Sequence, residues 1–240
     1  MRDRLILLPG WSFGAAALQP LQEALEQRAP NLRVEIAELP ENAAPGAWLD
    51  ELDARLPAEA WLAGWSLGGM LATQLAARRG EACPGLITFA SNACFASRED
   101  WPTAMPAEIF ATFRQAFDLD AEQTLKRFSL LASRGAFDPR TLARQLQVTQ
   151  PRTPVEALDA GLSLLAELDG RAALRAYSGP QLHLFARHDA LVPVAAADAL
   201  LAWLPDLEVE LFDASHGLPL ECPDQIARAL LGFIGDAVDD

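Results

Sequence analysis

The stretch WLAGWSLGGM (61–70) sets Ser66 between Gly64 and Gly68, with Gly69 directly behind, immediately after an apolar run. A serine hydroxyl is a weak nucleophile until a base takes its proton and a third group orients that base. The G-x-S-x-G spacing offers the turn that such a serine needs. A strand gives way sharply to a helix, and the strained backbone tolerates only small neighbours. The competing explanation is a glycine-rich helix start with no chemistry. Leu67 opens the helix, so its N–H is an orphan donor at a positive dipole end, suited to a developing oxyanion. A second oxyanion donor is expected from the loop LLPGWSFG (7–14), where the Trp11 backbone N–H is the candidate. Pro-Gly is also a generic turn signal, so that loop carries an ordinary structural explanation beside the functional one.

Only three histidines can serve as the base: His183, His188 and His216. His183 lies inside QLHLF and reads as a packed core residue. His188 and Asp189 are neighbours in FARHDALVP, just past the end of that strand. His216 stands in LFDASHGLP, past the last strand. C-terminal strand ends are where parallel α/β sheets assemble sites. The order Ser66, Asp189, His216 is the Ser…acid…His order of α/β-hydrolases. His216 is therefore expected as general base and Asp189 as its orienter. Asp213 is a rival acid, but it precedes His216 by three residues and is expected to cap the loop.

These residues need elements to hold them. Strand-like runs at 4–8, 32–39, 60–65, 85–90, 181–186 and 207–212 alternate with helix-like stretches at 15–27, 47–56, 67–80, 194–203 and 224–234. That alternation predicts a mainly parallel central sheet flanked by helices on both faces. Residues 97–165 break the rhythm. AEIFATFRQAF, EQTLKRFSLLASRG and PRTLARQLQ are helix-like with no strand between them. The organisation expected is a core of 1–96 and 166–240 with an inserted helical cap at 97–165.

The 240 residues fit one such domain, 51% hydrophobic and 22% charged. No apolar run is long enough to cross a bilayer, so no membrane association is expected. The N-terminus enters a strand-like run almost at once, leaving no room for a signal peptide. Cys83, Cys94 and Cys222 are odd in number and scattered, which predicts a reduced, cytoplasmic protein and no zinc site. The net charge of −14 argues against nucleic acid as a partner.

GWSLGG, HDALVP, ASHGLP, the early PGW and the stretch KRFSLLASRG (126–135) together resemble the pimeloyl-[acyl-carrier protein] methyl ester esterases of biotin synthesis. The similarity runs over nearly the whole chain and implies an α/β-hydrolase fold. It implies that Ser66 attacks a methyl ester with Asp189 and His216 as partners, that Trp11 and Leu67 give the oxyanion amides, and that Phe128, Ser129, Leu130, Leu131 and Ala132 line an acyl channel beside Trp11. Aromatic walls from Trp11, Trp65 and Phe128 suit methylene groups on physical grounds as well. The partner implied is an acyl-carrier protein bearing the ester, with Arg127, Arg140 and Arg144 at positions where the family presents basic residues to it. No metal or organic cofactor is implied, and a monomer is expected. One departure is Pro9-Gly10, where many relatives carry His-Gly, which touches the support of the oxyanion loop.

Two other functions share these residues. A general short-chain carboxylesterase would use the same triad, and a binding module could keep the scaffold without the chemistry. An aspartate in place of Ser66 would have pointed to a dehalogenase or an epoxide hydrolase.

Overall fold

The computed structural model describes residues 4–239. The core is a six-stranded sheet of β1 (Arg4–Leu8), β2 (Arg33–Ile36), β3 (Trp61–Trp65), β4 (Leu86–Phe89), β5 (Gln181–Ala186) and β6 (Glu208–Phe212). Their order across the sheet is β2-β1-β3-β4-β5-β6, and every pair is parallel. The inner strands β1, β3 and β4 are apolar almost throughout because helices cover both of their faces. The edge strands instead carry Arg33 and Glu35 on β2 and Glu208 and Glu210 on β6, charges that discourage further strand pairing.

Among the described residues eleven α-helices connect and cover these strands. Around the sheet run α1 (Ala15–Arg28), α2 (Trp48–Arg55) and α3 (Leu67–Arg79). Four helices then follow without an intervening strand: α4 (Ala107–Leu119), α5 (Ala121–Ala132), α6 (Pro139–Val148) and α7 (Val155–Glu167). Short α8 (Arg171–Ala176) leads back into β5, and α9 (Ala195–Trp203), α10 (Leu218–Glu221) and α11 (Pro223–Asp239) complete the chain. None of the helices among the described residues is long and apolar enough to cross a membrane.

The chain winds from β1 outward to β2, then returns past β1 to β3. The crevice at the C-terminal ends of β1 and β3 is therefore the sheet's topological switch point, where ligands bind in open α/β sheets. β2 is shorter than its alternating sequence suggests. Its ladder ends with the Ala37 N–H donating to the Leu7 carbonyl, because β1 stops at Leu8 and Pro9 has no N–H to extend it. The last helix runs five residues beyond Ile234, and Ala237 still packs on the core.

The helices between β4 and β5 rest on the C-terminal end of the sheet. Asp120 caps α5 by accepting the Gln123 N–H at 2.9 Å, and Asp138 caps α6 by accepting the Thr141 N–H at 3.1 Å with Pro139 at the first helical position. The fourth of these helices, α7, lacks a sequence counterpart above and ends at Glu167, two residues past the expected end of the cap at 165.

Candidate active site

Ser66 sits between β3 and α3 with φ 55° and ψ −117°, a conformation that L-residues avoid. Its surroundings enforce it. The Ser66 N–H donates to the Phe89 carbonyl at 3.0 Å, and its own carbonyl accepts from the Gly69 N–H and the Ser91 hydroxyl at 2.9 and 2.8 Å. The glycines make the close approach possible. A Cβ on Gly64 would overlap the Gly68 carbonyl, one on Gly68 would overlap the Leu8 carbonyl, and one on Gly69 would lie 2.7 Å from Ser91 Cβ.

The loop after β1 comes up beside the serine. A Cβ on Gly10 would stand 3.4 Å from Ser66 Cβ, so this backbone lies directly against the nucleophile position. The loop closes on a Phe13 N–H to Gly10 carbonyl bond of 3.1 Å, and Ser12 takes a left-handed φ of 63°. Neither the Trp11 N–H nor the Leu67 N–H has an acceptor among the described residues. The Trp11 indole is turned the other way and donates to the Leu158 carbonyl of α7 at 2.8 Å. Support for this loop thus comes from the segment between β4 and β5, through that indole and through Gln150, whose amide reaches the hydroxyls of Ser12 and Ser129 at 3.4 and 3.3 Å.

Asp189 and His216 meet at the other side of the crevice. His216 Nδ1 and Asp189 Oδ2 are 2.8 Å apart, and both side chains are buried. The other carboxylate oxygen of Asp189 accepts the N–H groups of Leu191 and Val192 at 2.7 and 2.9 Å. An ionised carboxylate so bound holds the imidazole with its proton on Nδ1. His216 Nε2 is buried and has no partner among the described residues. The ring lies 5.8 Å from that of Trp65, the residue before Ser66, whose indole N–H donates to the His216 carbonyl at 2.9 Å. Glu221, unremarked in the sequence, anchors this loop from α10 by accepting both the backbone N–H and the hydroxyl of Ser215. No motif flags it; only a carboxylate five residues beyond the histidine hints at the contact.

The remaining histidines are accounted for. His188 Nε2 pairs with Asp213 Oδ1 at 2.6 Å on the exposed surface, so Asp213 holds His188 and is not the loop cap expected above. His183 is buried in β5 against the Thr88 hydroxyl at 2.7 Å, and burial pushes its pKa down to about 3. The thiols are no rival nucleophiles. Burial, with the Asp169 charge, raises Cys94 to about 11, and burial raises Cys222 to about 12.

An apolar cavity opens beside Trp11, walled by Phe110, Phe113, Phe128, Leu131, Leu162 and Leu191. The Trp11 and Phe128 rings meet edge to face at 4.9 Å. Of the α5 residues named from the resemblance, Phe128 and Leu131 face this cavity. Ser129 is buried against Gln150, and Ala132 is buried with its carbonyl accepting the Gly217 N–H at 3.1 Å. Leu130 points to solvent, 57% exposed. Trp65 is fully buried, stacked on Phe13, and does not line the cavity. Arg127, Arg140 and Arg144 are exposed on α5 and α6.

Comparison with known proteins places this architecture. The α/β-hydrolase family model matches residues 5–229. The pimeloyl-[acyl-carrier protein] methyl ester esterase of Aeromonas hydrophila is 36% identical over 247 residues, covering 96% of this chain and 95% of that protein. The biotin biosynthesis bifunctional protein BioHC of Cellvibrio japonicus is 35% identical over 99% of this chain, which spans only 49% of that longer protein. A hydrolase from Oleispira antarctica superposes with a TM-score of 0.85 over 98% of this chain and 92% of its own, at 15% identity, a likeness of fold alone. The chain belongs to the α/β-hydrolase family and, within it, to the pimeloyl-[acyl-carrier protein] methyl ester esterases.

Proposed function

We infer that the protein is a serine carboxylesterase that hydrolyses the methyl ester of pimeloyl-[acyl-carrier protein], releasing methanol and leaving a free carboxylate on the carrier-bound chain, as a step of biotin synthesis. The observation that carries the chemistry is His216, whose Nδ1 is held by Asp189 while its buried Nε2 is left without a partner, on a loop bonded to Trp65, the residue before the strained Ser66.

In this reading Ser66 Oγ attacks the ester carbonyl as His216 Nε2 takes the hydroxyl proton. The carbonyl oxygen becomes an oxyanion and receives the N–H groups of Trp11 and Leu67, which are free for it. Collapse breaks the bond to the methoxy group, and His216 returns the proton so that methanol leaves. A water molecule, deprotonated by the same nitrogen, then attacks the acyl-enzyme. The second collapse releases the carboxylate and restores the Ser66 hydroxyl. Asp189 stays ionised throughout and stabilises the imidazolium.

The cavity beside Trp11 accepts the methylene chain, and α4 to α7 act as a cap over it. Trp11, Phe128 and Leu131 are the channel residues; Ser129 and Ala132 support them from behind. The acidic carrier docks on Arg127, Arg140 and Arg144, for which no ion pair is found among the described residues. The free thiols of Cys83, Cys94 and Cys222 suit the reducing cytoplasm, where the monomeric enzyme works.

The deciding experiment measures kcat/KM on methyl pimeloyl-carrier protein and on short p-nitrophenyl esters. A clear preference for the carrier-bound ester is expected. A preference for the short esters would make the protein a general carboxylesterase, and failure of Ser66 to take a fluorophosphonate label would leave a binding module.

A further inference from the structure

The most exposed large apolar residue among the described ones is Phe137, whose ring stands entirely in water. It lies in the turn between α5 and α6, with Arg134 three residues before it and Arg140 three residues after. A phenyl ring left fully in solvent forgoes about 2 kcal/mol or more of burial free energy, so its placement asks for an occupant.

The turn that carries it is well tied down. The Arg134 N–H donates to the Leu131 carbonyl and the Ala136 N–H to the Ser133 carbonyl, each at 3.1 Å. Gly135, at φ 94°, is pressed against His188, where a Cβ would come within 2.6 Å of His188 Cβ. Asp138 is engaged as the cap of α6. Two residues ahead of the turn's first arginine, the Ala132 carbonyl accepts the N–H of Gly217, the neighbour of His216. Phe137 is thus held on a braced turn that is fastened to the two loops carrying Asp189 and His216.

The surroundings name the partner's chemistry. Arg127 and Leu130 follow one another at helical spacing along the exposed side of α5, Leu130 being 57% exposed, and Arg134 stands exposed in the turn just beyond it. Arg140 and Arg144 continue the positive charge on α6. For Arg127, Arg134, Arg140 and Arg144 no ion pair is found among the described residues, in a chain of net charge −14. An apolar knob ringed by unpaired arginines fits an acidic surface with an apolar groove, and aromatic and arginine side chains are the usual anchors of protein interfaces. A second copy of this acidic chain is the poorer electrostatic match.

We propose that Phe137 is the apolar anchor of the carrier-protein docking surface, inserting into a groove between acidic elements of the carrier while the arginines orient it. The proposal rests on the carrier-bound ester being the substrate. Pre-formation of the turn lowers the ordering cost of docking.

The test compares Phe137→Ala with the double reversal Arg140→Glu/Arg144→Glu on methyl pimeloyl-carrier protein and on a free methyl ester. Phe137→Ala is expected to lower kcat/KM for the carrier-bound ester about tenfold, through KM, and to keep that deficit at about 0.5 M salt, where the arginine effect fades. Phe137→Leu should recover most of the loss, and the free ester should be turned over at the wild-type rate. If Phe137→Ala matched wild type while the arginine reversal slowed the carrier-bound ester, the anchor would be overturned and the docking surface would stand. If neither change mattered, the docking reading itself would fall. Equal losses on both substrates would mean damage to the turn and overturn the proposal. So would a wild-type dimer in sedimentation that Phe137→Ala dissolves, since a second copy would then be the occupant.

Discussion

Ser66 carries a conformational cost at the elbow, and that cost can be separated from its proposed chemistry. A non-glycine residue at φ 55° and ψ −117° costs roughly 1–3 kcal/mol. Both Ser66→Ala and Ser66→Gly remove the proposed nucleophile, and each should reduce turnover by at least about 10⁴-fold, leaving what the oxyanion hole and binding supply. The glycine variant also sheds the strain, less roughly 0.4–1 kcal/mol of extra unfolded-chain entropy. It should unfold a few degrees above the alanine variant, about 2–4 °C per kcal/mol at this size. A calorimetric comparison checks this, and a lower midpoint for Ser66→Gly would show that the elbow is unstrained. The two loop histidines divide in the same way. His216→Ala should cost as much activity as losing the serine, because the triad acts as a unit. His188→Ala removes only the exposed pair with Asp213 and should keep activity within a few-fold. The reverse ranking in steady-state kinetics would dismantle the assignment.

At the scale of elements, the loops that hold Ser66, Asp189 and His216 all leave the same end of one parallel sheet, and the proposed site needs the strands beneath to stay fixed. His183 is part of that floor, bonded from β5 to Thr88 of β4. Its pKa falls from 6.5 to about 3 on burial, so the folded protein holds it neutral while the unfolded chain takes up a proton below pH 6.5. Stability is therefore whole above pH 6.5 and is lost as the pH falls toward 3, at up to about 1.4 kcal/mol per pH unit from this group. His183→Gln should flatten the acid branch of the stability curve by that slope. Denaturant unfolding at several pH values checks it, and parallel curves would assign the acid sensitivity elsewhere. The strands, the elbow and the pairing of Asp189 with His216 were legible because apolar runs, glycines and histidines are local signals. The facing of α5 was less so. Five consecutive residues cannot share one side of a helix, so Phe128 and Leu131 reach the cavity while Leu130, two positions from Phe128, turns outward. Glu221 and the Asp213–His188 pair were hidden for another reason: each joins residues brought together only by loop packing.

Across the whole molecule, charge is segregated. Residues 123–152 hold six basic side chains and one acid in a chain of net charge −14, so the rest of the molecule is strongly acidic. Lys126 is tied to Glu122 at 2.6 Å, but Arg127, Arg140 and Arg144 stand exposed. An acidic carrier approaching the helices between β4 and β5 meets the opposite sign, whereas the rest of the chain is net acidic. Such a field acts on encounter and orientation more than on the depth of binding. Wild-type kcat/KM for the carrier-bound ester should therefore fall about tenfold as salt rises from roughly 0.05 to 0.5 M, as the Debye length shrinks to about 4 Å. The kcat at saturation should hold, since bound substrate no longer depends on steering. A free methyl ester carries no large charged body, and its kcat/KM should stay flat over the same range. A salt-independent rate on the carrier-bound ester would mean that the arginines do not guide the partner, and an equal fall on both esters would place the salt effect in the catalytic loops instead.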